Sequence, residues 1–303
     1  MNITASMVKE LRTRTGVGMM DCKKALVETD GNMDAAIDFL REKGLAQQAK
    51  KADRIAAEGL VLATVIDGVG VVVELNAETD FVSNSDTFRD LTAKIAAVIA
   101  KQNPADVDAL LACSEDGVTV EEMIREVFLA VRENIKVRRF ERYEGVISTY
   151  VHAGGKIGVM VKFNADASVA DNDTFKEMAK DVAMQIAAMN PLYLDPASVP
   201  AEVIEKEKEI LIAQMKEDPK MANKPDMVLG KIVEGKIGKY YKENCLVEQQ
   251  FVMDGDINVG KYIANCAKEM GADVKLVDFV RMEKGEGIEK RVDDFAAEVA
   301  SMM

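Results

Sequence analysis

The hydrophobic positions of this chain change period along its length. From residue 6 to residue 43 they recur three and four apart. Met7, Val8 and Leu11 share one face of a helix Ser6–Arg14, Cys22, Ala25 and Leu26 one face of a helix Met19–Glu28, and Ala36, Ile37 and Leu40 one face of a helix Met33–Lys43. Gly16-Val17-Gly18 and Asp30-Gly31-Asn32 make the turns between them, and Gly44 is placed to end the third helix as a C-cap tolerant of positive φ. Further on, the pattern becomes runs of β-branched residues around a glycine turn, at Gly59–Ala77 and again at Gly145–Ala165, which predict two β-hairpins. A helix from about Thr87 follows the first hairpin and one from about Thr174 follows the second.

These two stretches are an internal repeat. Glu58-Gly59-Leu60-Val61 matches Glu144-Gly145-Val146-Ile147, Glu74-Leu75-Asn76-Ala77-Glu78 matches Lys162-Phe163-Asn164-Ala165-Asp166, and Asp86-Thr87-Phe88 matches Asp173-Thr174-Phe175, at offsets of 86, 88 and 87. A lone hairpin is not stable in water. Each copy therefore needs its helix packed on one face, and two α+β subdomains are expected. Between the copies, Thr119-Val120-Glu121-Glu122 is a capping box opening a helix to about Glu133. After the second copy the helical period returns. Ile204, Leu211 and Met215 form a stripe on Glu202–Glu217, and Leu229, Val233, Ile237 and Tyr240 form another on Met227–Lys242. The segment Asp218–Pro225 separates them, so a projecting helical hairpin or short coiled coil is expected. The stretch Leu246–Met253, a helix Val259–Met270, a strand Val274–Arg281 and a last helix Val292–Ala300 complete the chain.

Charge and composition narrow the function. In 303 residues, 39 Lys and Arg stand against 52 Asp and Glu, and the net charge of −13 argues against nucleic acid as the principal partner. Residues 1–54 carry ten basic and eight acidic residues, a net +2 that leaves −15 for the rest, which supports a separate small module. One histidine excludes a multi-histidine metal site and leaves any Ser-His or Cys-His device a single base. The four cysteines form no CxxC pair, so neither a disulfide framework nor structural zinc is expected. No basic and apolar leader opens the chain, and the longest apolar stretch, Val61–Leu75, is broken by Asp67 and two glycines. A reduced, cytoplasmic, soluble protein is the expectation, with most familiar hydrolytic chemistry doubtful. The 18 methionines suit adaptable cores or adaptable contact surfaces, and core filling is the better reading for them.

Four features invite a chemical reading. Gly255-Asp256-Ile257-Asn258-Val259-Gly260-Lys261 has the spacing of a phosphate-binding loop, but Tyr262 stands where a small hydroxyl would hold Mg²⁺, so a polar turn and N-cap is the better reading. His152 sits at the turn of the second hairpin with no GxSxG elbow and no nearby cysteine. Arg132, Lys136, Arg138, Arg139 and Arg142 could bind an anion, but the interleaved Glu133 and Glu141 favour a solvated strand face. The loop Thr79-Asp80-Phe81-Val82 is the most informative, because the second copy makes the same connection with Asp166-Ala167-Ser168-Val169-Ala170, without a counterpart of Asp80 and without the aromatic. The architecture does not require Phe81. It is either a staple onto the following helix or a knob that fills a partner's pocket.

Met7-Val8-Lys9-Glu10-Leu11-Arg12, Thr15-Gly16-Val17-Gly18-Met19-Met20-Asp21-Cys22-Lys23-Lys24-Ala25-Leu26 and Thr79-Asp80-Phe81-Val82 closely resemble the bacterial translation elongation factor Ts family. So do Glu248-Gln249-Gln250-Phe251-Val252 and Gly285-Glu286-Gly287-Ile288-Glu289-Lys290, which extends the resemblance over essentially the whole chain. It implies a UBA-like helical module at 1–54, core subdomains at 55–143 and 144–280, a helical hairpin inserted at about 201–243 and a C-terminal module at 281–303. The implied function is guanine nucleotide exchange on elongation factor Tu, a protein GTPase, by a non-enzymatic protein with no cofactor and no metal and with no direct binding of nucleotide, nucleic acid or membrane. Thr79, Asp80, Phe81 and Val82 would enter the partner near its Mg²⁺ and phosphate site, while Arg12, Met19, Met20, Lys23 and His152 would make secondary contacts. Met19 and Met20 accordingly move from core to surface. Dimerisation or a 2:2 complex stays open, and Val131-Arg132 stands where the family often has Ile-Gly. Two rival readings are a P-loop nucleotide enzyme using Lys261 and a protein-binding adaptor centred on residues 1–54.

Overall fold

The computed structural model describes residues 3–217 and 225–289. The turn expected from Asp218 to Lys224 and the helix expected from Val292 to Ala300 lie outside these residues. The fold is α+β. Helices α1 (Ala5–Thr15), α2 (Met19–Glu28) and α3 (Met33–Lys51) close over Leu11, Cys22, Leu26 and Leu40, and Leu129 from a later helix completes their core. The third helix does not stop at Gly44. It runs on to Lys51, and Gly44 is buried, with a Cβ added there falling 2.6 Å from Leu129 Cδ2. Close packing of two helices, not a cap, is what this glycine serves.

Strands β1 (Glu58–Ile66) and β2 (Val69–Ala77) form the first hairpin, followed by the short helix α4 (Asp80–Ser83) and the long α5 (Asp86–Gln102). Next come α6 (Val107–Ala112), the ribbon β3 (Ser114–Glu115) and β4 (Val118–Thr119), α7 (Val120–Val131) and β5 (Lys136–Glu144). Both halves of the expected capping box open α7: Glu122 N–H donates to Thr119 Oγ1 at 3.2 Å and Thr119 N–H to Glu122 Oε2 at 2.9 Å. β5 joins β2, giving the order β1-β2-β5 with α5 and α7 packed on one face through Phe88, Ile95, Ile99 and Ile124.

The second sheet has the order β10-β7-β6, built from β6 (Val146–His152), β7 (Ile157–Asn164) and the distant β10 (Lys275–Glu283). Its covering helix α8 (Asp173–Met189) leads to the antiparallel pair α9 (Ala201–Glu217) and α10 (Asp226–Asn244), then β8 (Gln250–Phe251), β9 (Asp254–Asn258) and α11 (Val259–Met270). Phe175, Val182 and Ile186 of α8, with Ile263 of α11, bury the apolar face of β7. The stripes anticipated on the helical pair meet: Ile204, Leu211 and Met215 pack with Leu229, Val233 and Ile237. Among the described residues no helix is long and apolar enough to cross a membrane.

The faces turned away from the helices pack on each other, which the one-face expectation missed. Val61, Ala63 and Val72 of the first sheet meet Met160 and Met282 of the second. Both faces of β2 are therefore covered, with Val71 and Val73 toward the helices and Val72 and Glu74 toward the other sheet. Glu74 is fully buried at this junction. Its carboxylate accepts from Arg138 Nη1 at 3.0 Å, Arg139 Nε at 2.7 Å, Asn76 Nδ2 at 3.1 Å and the Gly285 N–H at 2.8 Å. The basic run 132–142 is thus not a solvated face. Arg142 adds two bonds to the Ala100 carbonyl, and only Lys136 of the five is exposed. A buried carboxylate needs such partners, and it recruits them from the neighbouring strand.

The repeated Glu-Gly pair has a backbone reason. Gly59 and Gly145 open β1 and β6 with φ of 153° and 116°, values that residues with a side chain rarely adopt. At Gly59 a Cβ would also lie 2.2 Å from the Leu75 carbonyl oxygen and 2.8 Å from Asn76 Cα, whereas at Gly145 the nearest atom is 4.0 Å away. Gly59→Ala is expected to cost about 3 kcal/mol in a denaturant or thermal unfolding measurement. Gly145→Ala, carrying the dihedral cost alone, should lose only about 1 kcal/mol.

Candidate partner-binding site

The loop that the internal repeat singles out is a built device. Thr79 is the N-cap of α4, its hydroxyl accepting from the Val82 N–H at 3.3 Å, and Asp80 takes the first helical position, where a negative charge suits the helix terminus. Ser85 then caps α5 by accepting from the Phe88 N–H at 3.4 Å, so two helices follow each other with hardly a free residue between them. Thr79 is itself clamped: Glu133 accepts from its N–H at 2.9 Å and from its hydroxyl at 2.7 Å. Glu78 is held beside it by the Asn134 N–H at 2.7 Å and by Arg54 at 3.2 Å.

On this support Val82 points inward and Phe81 outward. Val82 is 5 % exposed and joins the core beside Phe88, while Phe81 is 86 % exposed. The staple reading of Phe81 is therefore wrong, because Val82 does the packing. In the second copy Asp166 caps a 3-10 turn, Ala167–Asp171, by accepting from the Ser168 N–H at 2.9 Å and its hydroxyl at 2.7 Å. Its apolar residues Val169 and Ala170 are tucked against the core. Leaving a phenylalanine in water forgoes about 2 kcal/mol of burial, and the fold makes no use of that ring.

Secondary candidates lie elsewhere on the surface. Met19 and Met20, in the first turn of α2, are 53 % and 76 % exposed, while Cys22, Ala25 and Leu26 on its other face are fully buried. Arg12 and Lys23 are exposed as well. His152 ends β6, exposed, with Nδ1 at 3.0 Å from the Tyr150 hydroxyl, on a groove of about 370 Å³ shared with Ile157, Met184 and Met253. Arg132, by contrast, is half-buried and turned to Asp21 and Gln47.

The chemistry-like motifs resolve as structure. Asn258 is the N-cap of α11, its side-chain oxygen accepting from the Lys261 N–H at 2.8 Å, so the donor a phosphate would need is already used. Tyr262 donates to Asp181 at 2.6 Å and stacks on Phe251 with ring centroids 4.1 Å apart. All four cysteines are free. Burial pushes the thiols of Cys22, Cys245 and Cys266 up, that of Cys245 to about 11, which leaves little thiolate at neutral pH. Among the described residues no three His, Cys, Asp or Glu side chains are grouped to hold a metal ion.

Glu133 and Glu74 are the participants that pattern reading passed over. The first counted only as an alternating charge, and its contact with Thr79 spans 54 residues. Glu74 did leave a signal, a lone charge inside the apolar run Val71-Val72-Val73-Glu74-Leu75.

Comparison with known proteins places the chain in a family. The family model described as elongation factor TS matches residues 78–286. Elongation factor Ts of Syntrophotalea carbinolica is 49% identical over 100% of this chain and 99% of its own length, and that of Clostridium perfringens is 48% identical over 99% of each. Elongation factor Ts of a Nitratiruptor species is 48% identical over the whole of both chains. On a family match that includes the Thr79–Val82 turn, and on full-length relatives at nearly half identity, the chain belongs to the elongation factor Ts family.

Proposed function

We propose that this chain is the guanine nucleotide exchange factor of translation elongation: it binds elongation factor Tu in its GDP form and hastens GDP release by inserting the Asp80-Phe81 turn near the partner's Mg²⁺ and phosphate site. The observation that carries the reading is an aromatic ring left 86 % exposed on a doubly capped, Glu133-clamped turn whose internal duplicate has no such ring. In this reading residues 1–54 dock on the partner's nucleotide domain through Arg12, Met19, Met20 and Lys23. His152 makes a contact from the second sheet. Residues 55–143 and 144–280 act as two core subdomains in the cytoplasm.

Exchange makes and breaks no covalent bond, so the physics is linkage. If this chain weakens GDP binding by some factor, GDP weakens binding of the chain by the same factor. Only contacts that favour the nucleotide-free partner over the GDP form shift the equilibrium. Phe81 filling a pocket that opens in that form, and Asp80 competing with phosphate charge for the Mg²⁺ neighbourhood, would each supply such a difference.

The test is release of fluorescent GDP from elongation factor Tu. Acceleration that saturates with added chain is expected, and excess GDP should displace the chain from immobilised partner. No acceleration, or saturable ATP or GTP binding by the chain alone, would overturn the reading in favour of the P-loop alternative. An adaptor centred on residues 1–54 is tested by deleting them: an adaptor loses all partner binding, whereas the exchange factor keeps its core contacts.

A further inference from the structure

We infer that Arg132 is a positioning residue that fixes the Met19-Met20 face of the three-helix unit relative to the Asp80-Phe81 turn, so that one partner meets both together. The inference rests on the exchange-factor reading and adds to it a device built from this chain's own residues. Three consecutive residues leave the end of α7, and each is tied to a different element. Arg132 Nη2 donates to Asp21 Oδ2 at 2.8 Å, its Nη1 donates to the Gln47 side chain, and its carbonyl accepts from Lys51. Glu133 holds Thr79 through two bonds. Asn134 donates from its side chain to the Ala52 and Arg54 carbonyls at 3.1 and 2.8 Å and from its backbone to Glu78.

Asp21 adjoins Met20 in the first turn of α2, and its second oxygen takes Lys43 at 3.1 Å. A continuous line of bonded groups therefore runs from Asp21 through Arg132 and Glu133 to Thr79, with the exposed methionines at one end and Phe81 at the other. Arg132 makes this link from a left-handed backbone conformation, φ 62° and ψ 26°, which glycine would occupy with less strain. The guanidinium provides two directed bonds that a glycine lacks, and the planar fork suits a carboxylate on one side and an amide on the other. Two contact surfaces held in fixed relation bind one partner more tightly than the same surfaces on a hinge, because the second contact forms at high effective concentration. The rate once bound depends on Phe81 and not on the link.

Arg132→Gly separates these quantities, since glycine suits the backbone and leaves the fold intact. In GDP-release titrations the half-saturating concentration of the variant is expected to rise about tenfold, with the saturating rate unchanged within about twofold. Asp21→Asn should give the same split, the double variant should be no worse than either single one, and Arg132→Lys should recover part of the loss. A half-saturating concentration equal to wild type, a loss confined to the saturating rate, or additive losses in the double variant would each overturn the inference. Wild type is the control for the underlying reading: if it fails to accelerate release, that reading falls, and if only the variant comparison fails, the positioning role alone is lost.

Discussion

Phe81→Ala is expected to lower the saturating rate of GDP release from elongation factor Tu about tenfold or more, without measurable loss of stability. The magnitude follows from what the ring can contribute. An aromatic anchor filling a partner's pocket is worth more than about 1.4 kcal/mol, a factor of ten, at the centre of an interface. At 86 % exposure the ring makes little contact with its own fold, so unfolding should shift by less than about 0.5 kcal/mol. Where the loss falls decides the mechanism. A contact made equally to the GDP-bound and the nucleotide-free partner would raise only the half-saturating concentration, and a contact made preferentially to the nucleotide-free form lowers the saturating rate. Val82→Ala is the paired control. It removes two buried carbons next door, about 1.5 kcal/mol at roughly 0.8 each, and should show in unfolding before it shows in exchange. Asp80→Ala is expected to lie between Phe81→Ala and wild type. Near wild-type saturating rates for both Phe81→Ala and Asp80→Ala would remove the loop from the mechanism.

The elements that stand out in the sequence are those whose partners are close along the chain. α2 and α11 run from Met19 to Glu28 and from Val259 to Met270, as the apolar spacing indicates, and the Thr119–Glu122 box opens α7 because both its bonds are three residues long. Phe81 was legible for another reason: the chain contains a second version of the same connection, and the difference between the two is a ring that the architecture does not need. What pattern could not supply is the far side of each element. Gly44 reads as a helix end until Leu129 is seen against it. The basic residues near 138 read as a wet strand until Glu74, 64 residues away, is found buried beneath them. The second sheet pressed on β2 was implied only by the unbroken apolar run Val71-Val72-Val73, which a strand with one wet face would not have.

Glu74→Gln should be among the most destabilising single-atom exchanges in the molecule, and its effect should depend on pH. Four donors converge on the two carboxylate oxygens, and a glutamine offers one oxygen and an NH₂ that faces the remaining donors. Breaking a buried charge cluster on one side costs about 3 kcal/mol. In a chain of this size that is a fall of about 5 °C in the unfolding midpoint. Burial by itself would raise the Glu74 pKa, but the bonds from the Gly285 N–H, Arg138, Asn76 and Arg139 outweigh it and hold the carboxyl below the usual range. A carboxyl held lower in the folded state than in the unfolded chain stabilises above the unfolded value, about 4.3. That stabilisation is lost as pH falls through the folded value. The gap between wild type and Glu74→Gln should thus be constant from pH 8 to about pH 5 and should shrink below about 4.3, where the unfolded chain takes up the proton before the folded carboxylate, which follows at its lower value. Because Gly285 belongs to the segment that follows β10, and Arg139 also reaches the Glu283 carbonyl at 3.2 Å, the cluster ties that segment to the first sheet. Glu74→Gln should therefore raise hydrogen exchange at Gly285 and its neighbours more than in α5, which rests on the opposite, apolar face of β2. Equal exchange in both places would mean that the carboxylate supports the sheet only and leaves the segment to other contacts.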